Sequence, residues 1–158
     1  MQSKIAIVGP GASGKDYLRQ KFQDRGFRFG ISCTTRPPRI GEKNGRDYYF
    51  LTEEQFDQMV QDSNMVEWQE FNNWKYGLSV TEWEECDIMI LNAEAVELLE
   101  PKYRDRLFVV YMDIDRDIRL ERLRDRIDFD NPERRIMEDD KQFRNFSDFD
   151  CRITNDDF

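Results

Sequence analysis

The residues best suited to chemistry lie near the start of the chain, in the run Gly9-Pro10-Gly11-Ala12-Ser13-Gly14-Lys15-Asp16. Two glycines across a four-residue spacer, followed by lysine, let backbone N–H groups wrap a phosphate while the lysine adds a point charge. The run follows a short apolar segment, Lys4 to Val8, and precedes a segment patterned as a helix, whose N-terminus adds its dipole. The plain alternative is a glycine-rich turn without a ligand. Strand, spacing, lysine and helix together weigh against it. One position departs from the pattern. Such a loop continues with Ser or Thr, whose hydroxyl helps to hold Mg²⁺, and here Asp16 follows. A carboxylate at this point can hold a metal or simply favour the helix end.

A second group of residues falls in Ser32 to Gly45, where Pro, Gly and Arg dominate. Arg36 and Arg39, three apart in a proline-stiffened loop, can present two forks to one phosphate, and Tyr48 and Tyr76 supply neutral O–H donors. Taken alone, this stretch also reads as a solvated basic loop. Several chemistries are excluded. The chain has no His, so histidine acid/base catalysis, histidine-zinc sites and histidine-dependent triads are out. Cys33, Cys86 and Cys151 are too few and too scattered for a disulfide framework or a metal site. A net charge of -9 makes a poor general binder of nucleic acid, although converging arginines can still capture a small anion. No apolar run reaches the length of a membrane span. The N-terminus enters a strand at once, with no room for a signal peptide. The expectation is a reduced, cytoplasmic protein.

The elements that must position these residues alternate along the chain. Its 158 residues suggest one domain. Strands are expected over Lys4–Val8, Phe27–Ile31, Asp47–Leu51, Ile88–Leu91, Leu107–Met112 and Cys151–Thr154. Helices are expected over Lys15–Asp24, with Leu18 and Phe22 on one face, over Ala93–Glu100, from Asp115 through Arg126, and from Pro132 to about Phe146. Thr52-Glu-Glu-Gln55 spells a capping box opening a helix to about Asp62. Met65 to Phe71 alternates apolar and polar residues, and Asn72-Asn73 makes a turn into Trp74-Lys75-Tyr76. Strands alternating with helices argue for a parallel α/β sheet, interrupted by an inserted block from Ser32 to Gly77.

The stretch S-C-T-T-R-P-P-R-I-G-E-K-N-G-R-D-Y-Y-F resembles the signature of guanylate kinases. The likeness continues in V-E-W at Glu67, K-Y-G at Tyr76, R-L-R-D-R at Arg122 to Arg126 and T-N-D-D near the end, so it covers essentially the whole chain. It implies a P-loop kinase fold: a parallel sheet flanked by helices, with core 1–31, 78–126 and 136–158, a nucleotide-monophosphate-binding insert 32–77 and a short lid 127–135. The implied reaction transfers the γ-phosphate of ATP, with Mg²⁺, to GMP or dGMP. On this resemblance Gly9 to Tyr17 and Asn155 form the ATP site, and Tyr17 follows directly on the loop. Arg36, Arg39, Tyr48 and Tyr76 hold the acceptor phosphate, with Glu42 beside them. Ser32 and Glu67 read guanine, and Asn92 and Glu94 complete the acceptor set. The chemistry supports Glu67, because guanine offers N1–H and the 2-amino group side by side, two donors for one carboxylate. Lys15, Arg36, Arg122, Arg126 and Arg135 carry the catalytic charge.

Departures from the family pattern accompany the likeness. Asp16 replaces the loop hydroxyl, and Asn92 stands where an aspartate supports the metal. The two are expected to rebuild a metal shell together. Leu78 replaces a guanine-contacting Ser or Thr, for which the adjacent Ser79 can substitute. The chain stops at Phe158, where the family continues with a last helix. G-K-D in the loop and an Asn after the strand also resemble ribose 1,5-bisphosphate phosphokinases, which lack the full arginine block. The same residues leave room for a broader deoxynucleotide kinase and for a non-catalytic guanylate-kinase-like binding module. No nucleic-acid or membrane partner is expected.

Overall fold

Lys4–Val8 forms β1, whose Ala6, Ile7 and Val8 are fully buried, so it needs cover on both faces. The computed structural model describes residues 3–126, 131–155 and 157. After β1 come α1 (Lys15–Gln23), β2 (Cys33–Thr34), β3 (Tyr49–Phe50), α2 (Glu53–Gln61), β4 (Met65–Phe71) and β5 (Trp74–Ser79). Then follow α3 (Val80–Glu85), β6 (Ile88–Leu91), α4 (Ala93–Leu98), α5 (Pro101–Arg104), β7 (Leu107–Met112), α6 (Arg116–Arg124), α7 (Pro132–Phe143) and β8 (Cys151–Ile153).

The central sheet runs β6-β1-β7-β8, every pairing parallel. Parallel neighbours need crossover connections, and the helices supply them. Alternation along β1 sends Ile7 to one face and Ala6 and Val8 to the other. On the first face Ile7, Val110 and Met112 meet Leu18 and Phe22 of α1, the two residues expected to share a helix face. The opposite face packs Met89, Val109 and Tyr111 against Trp83, Val96, Phe143 and Phe146. Cover on both faces is what a parallel sheet demands. The fold is therefore the expected α/β layering.

Residues 33–79 supply a separate mixed sheet, β3-β2-β5-β4. Its β4–β5 hairpin turns at Asn72 and Asn73, with φ of 53° and 67°. Two left-handed residues make the turn whose twist suits a hairpin, and Asn tolerates that conformation. The capping box at α2 is complete. Thr52 Oγ1 accepts the Gln55 N–H at 3.1 Å, and Gln55 Oε1 accepts the Thr52 N–H at 2.9 Å.

Several expected elements change. Phe27–Ile31 is not a strand: only Phe29 bridges Ile88, through the Gly30 N–H to the Ile88 carbonyl at 2.8 Å and the Ile88 N–H to the Arg28 carbonyl at 3.1 Å, while the Ile31 N–H, on the side away from β6, is donated to the Glu82 carboxylate at 2.9 Å. The strand at Asp47–Leu51 shrinks to Tyr49–Phe50, which pairs with the two residues of β2 through the Tyr49 N–H to Ser32 and the Leu51 N–H to Thr34, both at 2.9 Å; the Phe50 N–H, on the opposite edge, is donated to the Asn44 side chain at 2.9 Å. The helix from Ala93 ends at Leu98, where Leu99 turns extended and Pro101 opens α5. The helices expected to reach Arg126 and Phe146 stop at Arg124 and Phe143. Of the stretch read as a lid, 127–130 lie outside the described residues. Asn131 caps α7, accepting the Arg134 N–H at 3.0 Å, and 132–135 are that helix's first turn.

Two contacts fix the chemistry-bearing loop to this frame. Ala12 packs on Leu123 of α6 and Ile136 of α7. Met112, at the end of β7, lies so close to Gly9 that a Cβ there would sit 2.8 Å from Met112 Cβ, so only glycine fits.

Candidate active site

The loop from Gly9 to Gly14 ends in Gly14 with φ of 93°, a conformation that suits glycine and aims the first N–H groups of α1 into the loop. Lys15 Nζ donates to the carbonyls of Gly9 at 2.6 Å and Pro10 at 3.0 Å. Burial pulls the Lys15 pKa down to about 8, while Asp139 and Asp16 work against that drop. Asp139 comes from α7 and accepts the Gly11 N–H at 2.9 Å, so a carboxylate already uses one of the loop's anion donors. Burial raises the Asp139 pKa, and the Gly11 N–H, Lys15 and Arg135 pull it back. Sequence reasoning missed Asp139. Its signal was the i, i+4 spacing from Arg135, which puts both on one face of α7.

A cleft of about 440 Å³ lies over the loop and joins Gly11 to Tyr17 with Arg39, Tyr48, Arg122, Arg126 and Arg135. Arg122 Nη1 also donates to the Ala12 carbonyl at 3.0 Å, tying α6 to the loop. Asp16 projects into solvent with 84% of its side chain exposed, 3.8 Å from Arg19.

The arginine block forms a neighbouring cleft of about 130 Å³. Arg36 is only 4% exposed, and its Nη1 and Nη2 donate to the two Glu42 oxygens at 2.8 and 3.0 Å. Nη1 also donates to the Pro37 carbonyl at 2.9 Å. That leaves Nε–H and the second Nη2–H, a side-on fork for an oxyanion. Burial would lower the Arg36 pKa, but the Glu42 bond and charge raise it overall. Glu42 accepts the Arg39 N–H at 2.6 Å as well. Its oxygens are thus spent on holding Arg36 and Arg39, so it is a positioning residue rather than a direct ligand of an anionic substrate. Arg19, absent from the sequence-based set, lines the same cleft and stacks 3.7 Å from the Phe29 ring centre. Its three-residue spacing from Asp16 on α1 was the signal for it.

A third cleft, of about 230 Å³, is lined by Ser32, Glu67, Gln69, Tyr76 and Asn92 together with Lys15, Arg135 and Asp139. Tyr48 lines all three clefts, and Lys15 lines the first and third. The Tyr48 and Tyr76 rings meet edge to face at 6.2 Å. Burial pushes Glu67 up to about 8, against the pull of the Leu78 N–H. Among the described residues no cluster of three or more acidic or cysteine side chains converges as a metal cage.

The remaining expected site residues have different roles. Asn92 Oδ1 accepts the Ala95 N–H at 2.8 Å and Gln69 Nε2 at 2.6 Å. With its oxygen used twice and only an NH₂ remaining, Asn92 is not a metal ligand, and the joint shell with Asp16 is not formed. Ser79 is buried and caps α3, accepting the Glu82 N–H at 3.1 Å, so it does not replace a base-reading hydroxyl. Leu78 is wholly buried. Glu94 is exposed in the first turn of α4, and Asn155 is exposed beyond β8; neither lines these clefts. Cys33, Cys86 and Cys151 are free thiols. No helix among the described residues is long and apolar enough to cross a membrane.

The phosphate loop, the arginine block and the Glu67 cleft thus meet around Tyr48 and Lys15. The family model described as guanylate kinase matches residues 1–158. The chain belongs to the guanylate kinase family. Its sequence is 30% identical to the guanylate kinase of Rubrobacter xylanophilus over 98% of this chain and 86% of that protein. The guanylate kinase of Synechocystis is also 30% identical, over 97% of this chain and 85% of that protein. The match to the Bacillus subtilis guanylate kinase is 43% identical but spans 48% of this chain and 39% of that protein. A crystal structure of guanylate kinase from Anaplasma phagocytophilum superposes with a TM-score of 0.72 at 19% identity, over 99% of this chain and 78% of that one. That likeness is one of fold.

Proposed function

We propose that this guanylate kinase family member transfers the γ-phosphoryl group of ATP to the phosphate of GMP, giving ADP and GDP. The observation that carries the reading is the shared lining. Tyr48 and Lys15 line both the cleft over the phosphate loop and the cleft that holds the half-buried Glu67. A phosphate oxygen of GMP attacks the γ-phosphorus, and the bond from that phosphorus to the β-bridging oxygen breaks. The acceptor phosphate, with a second pKa of about 6, is already ionised at neutral pH, so no general base is needed. Positioning and positive charge supply the catalysis. Arg36 offers its side-on fork to the acceptor phosphate, with Arg39, Tyr48 and Tyr76 around it. Arg122, Arg126, Arg135 and Lys15 surround the transferring group. Glu67 accepts guanine N1–H and the 2-amino group.

Mg²⁺ in such sites takes one or two carboxylates, with nucleotide phosphates and water completing its shell. The Asp16 carboxylate, which projects beside the loop, fits that donor set, and Asp16 is the residue we assign to it. When bound, Mg²⁺ neutralises charge on the ATP phosphates.

An ADP-release assay with ATP and, in turn, GMP, dGMP, AMP, dTMP and ribose 1,5-bisphosphate tests the reading. Turnover is expected with guanine nucleotides and not with the sugar bisphosphate. Turnover of the bisphosphate alone would overturn the assignment, and no turnover with any acceptor would point to a binding module.

Asp139 adds a prediction for ATP. Its carboxylate holds the Gly11 N–H that an ATP phosphate needs and lies beside Lys15, so the two anions compete. Asp139→Asn weakens the competitor, since hydrogen bonds to charged groups contribute about 1.5–3 kcal/mol against about 1 for neutral ones. ATP is expected to bind roughly tenfold more tightly to the variant by calorimetry. Weaker binding would show that Asp139 instead supports the loop in its ATP-bound form.

A further inference from the structure

The geometry points to an amide clasp, Gln69 with Asn92, that reads a sugar hydroxyl of the acceptor nucleotide; this rests on the guanylate kinase reading and extends it. Both side chains line the Glu67 cleft, and their orientations follow from hydrogen-bond logic. The Ala95 N–H can only donate, so the Asn92 atom that caps α4 at 2.8 Å must be the amide oxygen. That same oxygen receives the second contact, at 2.6 Å, so the Gln69 atom there must be its nitrogen. The two remaining groups are therefore defined: Gln69 Oε1, an acceptor, and the Asn92 NH₂, a donor. Among the described residues neither has a protein partner. Gln69 is only 9% exposed, so its amide is held on the cleft wall rather than free in solvent. One acceptor beside one donor is the complement of a hydroxyl, which donates once and accepts.

Placement along β4 selects the sugar. Glu67 and Gln69 lie two apart on one strand face, about 7 Å from each other. Gln69 is the register partner of Tyr76 on β5, and Tyr76 meets Tyr48 beside the arginine cleft. A nucleotide with guanine at Glu67 and its phosphate at Tyr48, Tyr76 and Arg36 has only the sugar between them. The hydroxyl donates to Gln69 Oε1 and accepts from Asn92.

Two substitutions test this with different side effects. Asn92→Ser keeps an oxygen to cap α4 and removes the outward NH₂ without adding a charge. Gln69→Ala removes the acceptor and the clasp. Steady-state kcat/KM is measured at saturating ATP with GMP, dGMP and 2′,3′-dideoxy-GMP, and thermal unfolding checks that each variant folds. The unmodified protein is expected to lose about tenfold or more when the hydroxyl held by the clasp is removed, as two net hydrogen bonds imply. In both variants that penalty is expected to shrink below about threefold, with GMP falling toward the dideoxy value. Which deletion carries the penalty identifies the hydroxyl. Equal penalties in the unmodified protein and in Asn92→Ser overturn the clasp, whatever the folding of Gln69→Ala. So does an unmodified protein indifferent to the dideoxy acceptor. Failure of the unmodified protein to phosphorylate GMP at all is the separate result that overturns the guanylate kinase reading.

Discussion

Glu67→Gln is expected to lower kcat/KM for GMP by about 10²–10³-fold, roughly 3–4 kcal/mol, and to erase a pH dependence that the unmodified protein shows. The reason is donor counting. Guanine presents two donors, and an ionised Glu67 accepts both. A glutamine at this position keeps one acceptor and turns an N–H against the second donor. Losing one charge-assisted bond costs about 1.5–3 kcal/mol, and the unpaired buried donor adds to it. The pH dependence follows from burial, which pushes Glu67 up to about 8. Below that value the carboxyl is protonated and carries the same donor mismatch as glutamine. At saturating ATP, whose phosphates hold Lys15 in its charged form, the kcat/KM for GMP should therefore rise nearly tenfold per pH unit between about 6.5 and 8 and flatten above, because this quantity reports groups of the enzyme before GMP binds. The acceptor phosphate, with its pKa near 6, is already ionised across that window. Guanine binding stabilises the carboxylate, so kcat at saturation should vary less than KM. Glutamine does not titrate, and the slope should vanish in the variant. A slope that survives Glu67→Gln would belong to another group and would remove Glu67 from base recognition.

How much of this site could be read from the sequence depends on whether each signal was local. The central sheet was legible because Ile88 to Leu91 and Leu107 to Met112 are apolar runs that only double-sided burial explains. The hairpin and α2 were legible because Asn72-Asn73 and Thr52…Gln55 carry their own turn and cap chemistry. Phe27–Ile31 misled because its apolar residues do not announce that pairing with β6 stops at Phe29 and Ile88, or that the Ile31 N–H goes to Glu82, fifty-one residues further on. The helix α3 went unread although Ser79-Val80-Thr81-Glu82 spells a capping box. Only half of that box forms, since the Glu82 carboxylate is drawn away to Ile31 and Tyr49. In the site, residue types announced Lys15, Arg36 and Glu67. The partners that set their geometry were silent: Glu42 looked like a ligand until its two oxygens were found on Arg36, and Gln69 looked like alternation on a strand. Asn92 shows the same limit. Its type suggested metal chemistry, but its cap to α4 and its bond to Gln69 decide which atom faces the cleft.

Lys15→Met should lower kcat by about 10²–10³-fold while leaving GMP binding nearly intact. Removing one preorganised electrostatic contact to a transition state costs roughly 3–4 kcal/mol, and methionine keeps much of the stem's volume, so the loss isolates the charge. The location makes the prediction specific. Lys15 Nζ lies on the carbonyls of Gly9 and Pro10, within the loop, and the residue also lines the acceptor cleft. It is therefore placed to follow charge as it moves from the donor to the acceptor side. On the proposed reading GMP is held by Glu67, Arg36 and Tyr48 rather than by Lys15, so calorimetric GMP affinity should change by less than about threefold. Lys15→Arg should not restore the rate. A guanidinium is a planar fork rather than a compact point charge, and does not reproduce the single Nζ that lies on the Gly9 and Pro10 carbonyls at 2.6 and 3.0 Å. A Lys15→Met protein that keeps kcat within threefold of the unmodified one would mean that the loop does not hold the transferring phosphate. The reaction centre would then have to be sought among the arginines of α6 and α7 alone.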